Sequence, residues 1–343
     1  MTQIKADNIT NVAGTGAPDF ADGVTVAGGS AISSLNLAEA YSQGTEPSSP
    51  KNGALWWDTG NDKLYAYIAS EWKEIELGAS TATWFADLSG FSYDSVSFST
   101  TSQVPNLVGL VFKPDGTKMY ATGGNGTTST NRVYEYSLPT AWDITTASYT
   151  GNFYIGSQMT YSFGFDFKPD GTKMYVHSYT SDRLYQYSLS TAWDVTTASY
   201  DNKYYTTTAG VSMFCLKFNT DGDKFFMLSN GGSGLYEYNM STAWDVSTAS
   251  AGNTFDPTGI NNHIGFAFSP DGLKLYVTEN VTDALHQYSL STPFDITTAS
   301  SDSSSASVSQ ADNPRDIAFS ADGTKMYICN YTDDTIYQYS TGL

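Results

Sequence analysis

The sequence predicts an all-β fold: a five-bladed β-propeller of four-stranded blades over residues 81–343, preceded by a small β-meander and an extended N-terminal segment. Three observations predict it. A segment about fifty residues long recurs five times, and each copy holds four short strand-like runs. The composition also suits pleated, half-buried surfaces, with 25 Tyr and 18 Phe among 343 residues.

A turn sets the period. Residues 112–120 read Phe-Lys-Pro-Asp-Gly-Thr-Lys-Met-Tyr, and residues 167–175 repeat them without change. Weaker copies occupy 218–226, 268–276 and 319–327. The central glycines, Gly116, Gly171, Gly222, Gly272 and Gly323, are spaced by 55, 51, 50 and 51 residues. Asp-Gly suits a tight reversal, because glycine accepts positive φ and the carboxylate caps backbone donors. The run before it, such as Gly164–Phe167, is therefore strand a, and the run after it, such as Lys173–His177, is strand b.

An alternating tyrosine run supplies strand c. Residues 133–137 read Val-Tyr-Glu-Tyr-Ser, with counterparts at 184–188, 235–239, 285–289 and 336–340. A second turn follows four of these runs, as Trp142-Asp143, Trp193-Asp194, Trp244-Asp245 and Phe294-Asp295. It leads into strand d, which in the first repeat covers Ala147–Ile155. Four antiparallel strands in each such period describe a propeller blade.

The last repeat reaches Leu343 where a fourth strand would begin, and a spare strand lies upstream at Phe91–Val104. Its Ser102-Gln103 precede Ser157-Gln158 by 55 residues, the offset of the first glycine pair. The N-terminal strand is expected to complete the fifth blade and remove the open edges.

Residues 1–45 are rich in Gly, Ala, Asn, Thr and Ser and can bury little on their own. They read as an extended segment, with one short helix over Ala31–Tyr41. Residues 46–80 hold three alternating runs, around Trp56-Trp57, Lys63–Tyr67 and Glu71–Ile75, which read as a β-meander. Three strands are marginal alone, so the meander should pack on a neighbour or on another copy of itself.

Sixteen basic and 35 acidic residues give a net charge of −19, which argues against nucleic acid as a partner. Apolar runs such as Leu107–Phe112 are too short to span a bilayer, so no membrane insertion is expected. Met1–Gly14 carries no charged start followed by an apolar stretch, so no signal peptide is read. Cys215 and Cys329 fall within strands and read as free buried thiols of a protein assembled in a reducing compartment.

The search for chemistry returns little. His177, His263 and His286 occupy non-equivalent positions with no ligand partner at i+2 or i+4. His286 stands where other repeats place a strand c tyrosine and reads as its structural replacement. Asp115, Asp170, Asp221, Asp271 and Asp322 read as hairpin residues, since a calcium loop needs several carboxylates at close alternate spacing. Trp142, Trp193 and Trp244 read as packing between blades. No nucleophile elbow, phosphate loop or dinucleotide fingerprint is present. No catalytic residue, metal or cofactor is expected, and the chain reads as a binding or structural platform, not an enzyme.

The two faces of the ring differ in their loops. The a–b and c–d turns on one face are nearly identical between repeats, whereas the b–c and d–a loops on the other diverge. Loops free of a shared structural duty can diverge for binding. Tyr179, Asn230, Asn280 and Tyr331 on the variable face are the candidate ligand-binding residues, because Tyr and Asn offer rigid area and adaptable hydrogen bonds.

Residues Pro47–Ile75 resemble a short module of tail-fibre and other virion proteins of tailed bacteriophages. Ile4–Val26, with Asn-Ile-Thr-Asn-Val from Asn8 and Asp-Phe-Ala-Asp-Gly-Val from Asp19, resembles the start of phage appendage proteins. The ring resembles propeller repeats found in bacterial and phage proteins of varied role. The resemblance implies a virion protein, assembled in the host cytoplasm, that acts as a tail fibre or appendage. Residues 1–80 would dock on other tail or capsid proteins, and the propeller would recognise a host-surface glycan or protein. It also implies a homo-oligomer, in fibres a trimer. Two alternatives stand beside it: a purely structural tail or capsid subunit, and a glycan-degrading propeller enzyme.

Overall fold

Each Asp-Gly turn closes a hairpin, and each hairpin is extended by two more antiparallel strands. The computed structural model describes residues 88–124, 130–207, 213–229, 234–257, 260 and 262–341 of this region. Before them it describes 4–5, 9–10, 19–20, 25–26, 30–31, 40–43, 45, 47–48, 54–58, 63–68 and 71–75. The chain falls into two units, Met1–Thr83 and Trp84–Leu343.

The second unit is the five-bladed propeller. The a–d strands of blade 1 are Leu107–Phe112, Lys118–Gly123, Arg132–Ser137 and Ser148–Tyr154. Blade 2 comprises Ser162–Phe167, Lys173–Ser178, Arg183–Leu189 and Ala198–Thr206. Blade 3 comprises Met213–Phe218, Lys224–Ser229, Leu235–Met240 and Ala249–Phe255. Blade 4 comprises His263–Phe268, Lys274–Glu279, Ala284–Leu290 and Ala299–Ser307. Blade 5 takes Pro314–Phe319, Lys325–Asn330 and Thr335–Ser340 from the end of the chain, and its strand d, Ser92–Ser99, from upstream of blade 1. That strand pairs antiparallel with Thr335–Ser340, setting Tyr93 opposite Tyr339 and Ser97 opposite Tyr337.

The apolar core lies between blades. Val111, Tyr120 and Val133 of blade 1 pack with Phe165, Phe167 and Met174 of blade 2, and four similar clusters fill the rest of the ring. The second turn clamps each seam. Trp142, Trp193, Trp244 and Phe294 all take positive φ, between 54° and 65°. This is rare for large side chains and needs compensation. Each backbone N–H donates to the glycine carbonyl of its own a–b turn, as Trp193 to Gly171 at 3.0 Å. Three of the carbonyls then accept from a tyrosine hydroxyl of the preceding blade: Trp193 from Tyr120 at 2.7 Å, Trp244 from Tyr175 at 2.8 Å and Trp142 from Tyr327 at 2.5 Å. The aspartate after the aromatic caps a short 3₁₀ turn, as Asp143 Oδ1 accepting from Thr145 N.

Every blade also carries one lysine on strand b and one carboxylate beside it, on either of two strands. In blades 1 and 3 the carboxylate is on strand c: Lys118–Glu135 at 2.7 Å and Lys224–Glu237 at 3.1 Å. In the others strand c carries glutamine and the acid moves to strand d: Lys173–Asp201 at 3.3 Å, Lys274–Asp302 at 2.8 Å and Lys325–Asp94 at 2.7 Å. Asp94 thus supplies from the N-terminal strand what Asp201 and Asp302 supply within their own blades.

In the first unit, Leu55–Asp58, Lys63–Ile68 and Glu71–Ile75 form the expected meander. Trp56 stacks on Tyr65 at 4.8 Å. The helix expected over Ala31–Tyr41 is corrected where the chain is described. Ala40–Gln43 is a strand paired in parallel with Leu55–Asp58, and Ser30–Ala31 also lies in a small sheet. A fourth strand covers an otherwise open edge, a gain that outweighs weak helix propensity. Residues 32–39 lie outside the described residues.

Asp94→Ala should lower unfolding free energy by about 1–3 kcal/mol, since it removes a carboxylate bonded to Lys325, Gln338 and Ser340. Gln338→Glu in that background should recover part of the loss by moving the acid to strand c, as in blades 1 and 3. Urea titrations of the two single variants and the double variant check both.

Candidate functional site

The five strands a pack side by side around the inside of the ring, and the tier of their third residues is Gly109, Gly164, Cys215, Gly265 and Asp316. Space there explains the glycines. A Cβ on Gly109 would stand 2.7 Å from the Phe165 ring, one on Gly164 2.8 Å from Leu216 N, and one on Gly265 2.8 Å from Arg315 O. Gly164 also has φ +70°, which glycine tolerates without strain.

Asp316 is the acid of this tier and is almost wholly buried. Its Oδ1 accepts from Ile317 N at 2.8 Å and from the Cys215 thiol at 3.0 Å, and its Oδ2 accepts from Leu110 N at 3.0 Å. Lys217 Nζ of blade 3 reaches the same carboxylate at 2.9 Å. One side chain therefore ties blades 1, 3 and 5 together. Burial alone would lower the Lys217 pKa, but Asp316, Cys215 and Asp166 hold the ammonium above its ordinary range. Burial and the Asp316 charge push the Cys215 thiol well up, so it stays protonated. Cys215 and Cys329 are both buried free thiols.

Lys217 shares its strand position with Asp166 of the adjacent blade; the other blades place Val111, Ala267 and Ala318 there. Asp166 Oδ1 accepts from Phe167 N at 2.8 Å and Oδ2 from Phe218 N at 3.0 Å. Burial pushes its carboxyl up to about 6, against the pull of Lys217 and these two amides. Both residues line a cavity of about 480 Å³ that opens on the face of the repeated turns. Its wall is aromatic: Phe112, Phe167, Phe218, Phe268 and Phe319 end the five strands a, and Trp142, Trp193, Trp244 and Phe294 come from the four c–d turns. A space of this size, apolar with few charged groups, suits a small organic molecule.

The candidates on the variable face are partly brought together. Tyr179, 38% exposed, lies 6.1 Å from the Phe214 ring and 5.1 Å from Phe163. Arg315 lies over Phe214 at 5.4 Å and over Tyr331 at 4.5 Å, which links Tyr179 to Tyr331 through two residues of strand a. Asn280 keeps the equivalent loop position in blade 4, where its N–H donates to Asn262 O at 3.2 Å. Asn230 lies outside the described residues.

The histidines stay apart. Burial drives His177 down to about 3 and also lowers His263, so both are neutral at ordinary pH. His286 Nε2 sits 3.1 Å from Glu279, which also accepts from Thr282 Oγ1. The turn aspartates are committed locally: Asp115 accepts from Thr117 N and Oγ1 and pairs with Lys113 at 2.5 Å. Sequence reasoning missed Asp166, Lys217, Arg315 and Asp316. The signal was available, because each puts a charge at a strand a position that most other repeats fill with Gly, Cys, Val, Ala, Ile or Phe.

A family model described as "Lactonase, 7-bladed beta-propeller" matches residues 164–342, just over half of the chain. The chain belongs to the lactonase family. It does so with five blades, although the family is described by seven. Among solved structures it is similar to a functionally unknown protein from Desulfotomaculum acetoxidans, with 14% identity, 66% of each chain covered and a TM-score of 0.44. A protein from Lactobacillus plantarum gives 17% identity over 67% of this chain and 66% of that one, with a TM-score of 0.44. The periplasmic gluconolactonase of Pseudomonas aeruginosa gives 15% identity over 69% and 68%, with a TM-score of 0.43. This chain spans 66% of the length of the first of these, and overlaps this loose add nothing to the fold already described. No curated protein matches the sequence.

Membership of a lactonase family corrects four expectations. The chain is not a phage tail fibre or virion appendage, and the virion localisation falls with that reading. The host-adhesin role falls too, and so does the expectation of a non-enzyme, since the family is named for an enzymatic activity. The misreading has a physical source. The phage-like motifs lie within residues 4–75, whereas the match lies wholly in blades 2–5, where the Asp-Gly and Trp-Asp turns report packing and not role.

Asp316→Ala should destabilise the protein by about 3–5 kcal/mol, because it leaves the Lys217 ammonium without its counter-charge. Lys217→Met in the same chain should return part of that loss. Denaturant midpoints of the two variants give the comparison.

Proposed function

We propose that the protein hydrolyses small cyclic esters, with the 480 Å³ cavity as the substrate site. The observation that carries this reading is the placement of Asp166 and Lys217, a carboxylate and an ammonium in adjacent blades, on an aromatic wall sized for one small ring. The family match supports the same reaction class.

The roles follow from chemistry. Asp166, as carboxylate, takes a proton from a water molecule, whose oxygen forms a bond to the lactone carbonyl carbon. Lys217 stabilises the negative charge that develops on the carbonyl oxygen, and Asp316 fixes its ammonium without filling all three donors. Collapse of the tetrahedral intermediate breaks the bond to the ring oxygen. That oxygen leaves as a hydroxyl by taking the proton held on Asp166, and the product is an open-chain hydroxy acid. The aromatic wall packs against the ring and limits water to the molecule that reacts.

Incubation with a panel of sugar and aliphatic lactones, followed by pH-stat titration of released acid, should show turnover. Asp166→Asn should lower kcat on the order of 10²–10⁴-fold, and Lys217→Met roughly 10²-fold. The wild-type rate should rise with pH through about 6 as Asp166 ionises, and the Asp166→Asn variant should lose that step. The same group leaves a stability signature. Its folded value lies above the free value of 3.8, so its contribution to stability falls as pH rises from there towards about 6. Acid release no faster than the uncatalysed background for every lactone would overturn the reading.

A further inference from the structure

Arg315 stands at the opening of strand a in blade 5, on the mouth of the channel opposite the cavity. It is half-buried between the Phe214 and Tyr331 rings. Burial lowers its pKa, and no carboxylate offsets that effect. Its Nε is buried and has no hydrogen-bond partner among the described residues.

The neighbouring lysines behave differently. Lys217 holds Asp316 at 2.9 Å, and the strand b lysines each hold a carboxylate. Arg183 also lacks an acid among the described residues and keeps an unpartnered Nε over Tyr204, but Arg315 stands between two rings, where burial disfavours its charge, and an oxyanion from outside would offset that cost. Guanidinium is the cation best shaped to take an oxyanion through two parallel N–H donors.

The surroundings define what carries the oxyanion. Phe163, Tyr179 and Phe214 form an edge-to-face group beside Arg315, with ring centroids 4.9–6.1 Å apart, and Tyr179 is exposed. Such a platform takes a ring-shaped body on its face, while Arg315 meets a charge at the rim of that body. Tyr331 backs the guanidinium from the other side and fixes its plane.

We propose that the variable-face mouth of the channel binds an acidic monosaccharide, a sugar ring bearing a carboxylate, with the carboxylate on Arg315 and the ring against Phe163, Tyr179 and Phe214. The site is separate from the proposed hydrolytic cavity, because the tier holding Asp316 lies between them along strand a. It therefore stands or falls independently of Asp166 chemistry.

Isothermal titration of the full chain with glucuronate, and with glucose as the neutral control, tests the assignment. Glucuronate should bind saturably and glucose more weakly. Arg315→Met, which keeps the side-chain bulk between the two rings, should weaken glucuronate roughly tenfold or more, the effect of one lost charge-assisted contact. Tyr331→Leu retains the charge and should cause a smaller loss, which provides a second reading if Arg315→Met fails to fold. Asp166→Asn should leave glucuronate affinity unchanged. Equal affinity for glucose and glucuronate, undiminished binding in Arg315→Met, or no saturable heat with wild type would each overturn the proposal. Loss of binding in Asp166→Asn would place the acid in the other cavity and overturn it as well.

Discussion

The convergence of five strands on one axis is the constraint from which the rest of this structure follows. With five blades the inner strands approach so closely that the third residue of each can hardly carry a side chain. Gly109, Gly164 and Gly265 meet that limit by having none. Cys215 and Asp316 fill what space remains and bond to each other. The Asp316 carboxylate accepts from two backbone amides and holds Lys217 across the axis, so a potentially costly buried charge becomes a junction between blades 1, 3 and 5. On one side of this tier the strands a carry Asp166 and Lys217, and on the other Arg315.

Away from the axis, the same clamp is applied repeatedly at the seams. An aromatic residue held at positive φ bonds back to its own a–b turn and, in three cases, offers its carbonyl to a tyrosine of the preceding blade. Below it a lysine and a carboxylate meet in every blade, with the acid free to sit on strand c or strand d. That freedom explains why the repeat is strict at its turns and looser along its outer strands. Only the distance between charges is constrained, not the strand that carries the acid.

The repeated residues also do something their repetition conceals. The phenylalanines that end each strand a, and the tryptophans of the c–d turns, meet aromatic rings of the preceding blade at the seams and also line the 480 Å³ cavity. By sequence, identical turns point to structural duty and divergent loops to binding. The cavity on the repeated face shows that structural duty and exposure to a ligand-sized space can coincide. Family membership fits this picture better than the fibre reading did, because the match rests on blades 2–5 and not on the N-terminal motifs.

Strand number, turn positions, the five-blade count and the closing N-terminal strand were legible in the sequence, because each depends on local chemistry that repeats. An Asp-Gly pair forms the same hairpin wherever it stands, and a strand left without a partner must find one. The candidate site was legible only as an anomaly: Asp166, Lys217, Arg315 and Asp316 break apolar or glycine positions in the repeat. What those breaks amount to was decided by tertiary structure. Residues in three blades, separated by up to 206 positions in the case of Asp316 and Leu110, become neighbours only when the ring closes. The raised carboxyl of Asp166 and the paired ammonium of Lys217 depend on burial at that closure, which no local pattern encodes.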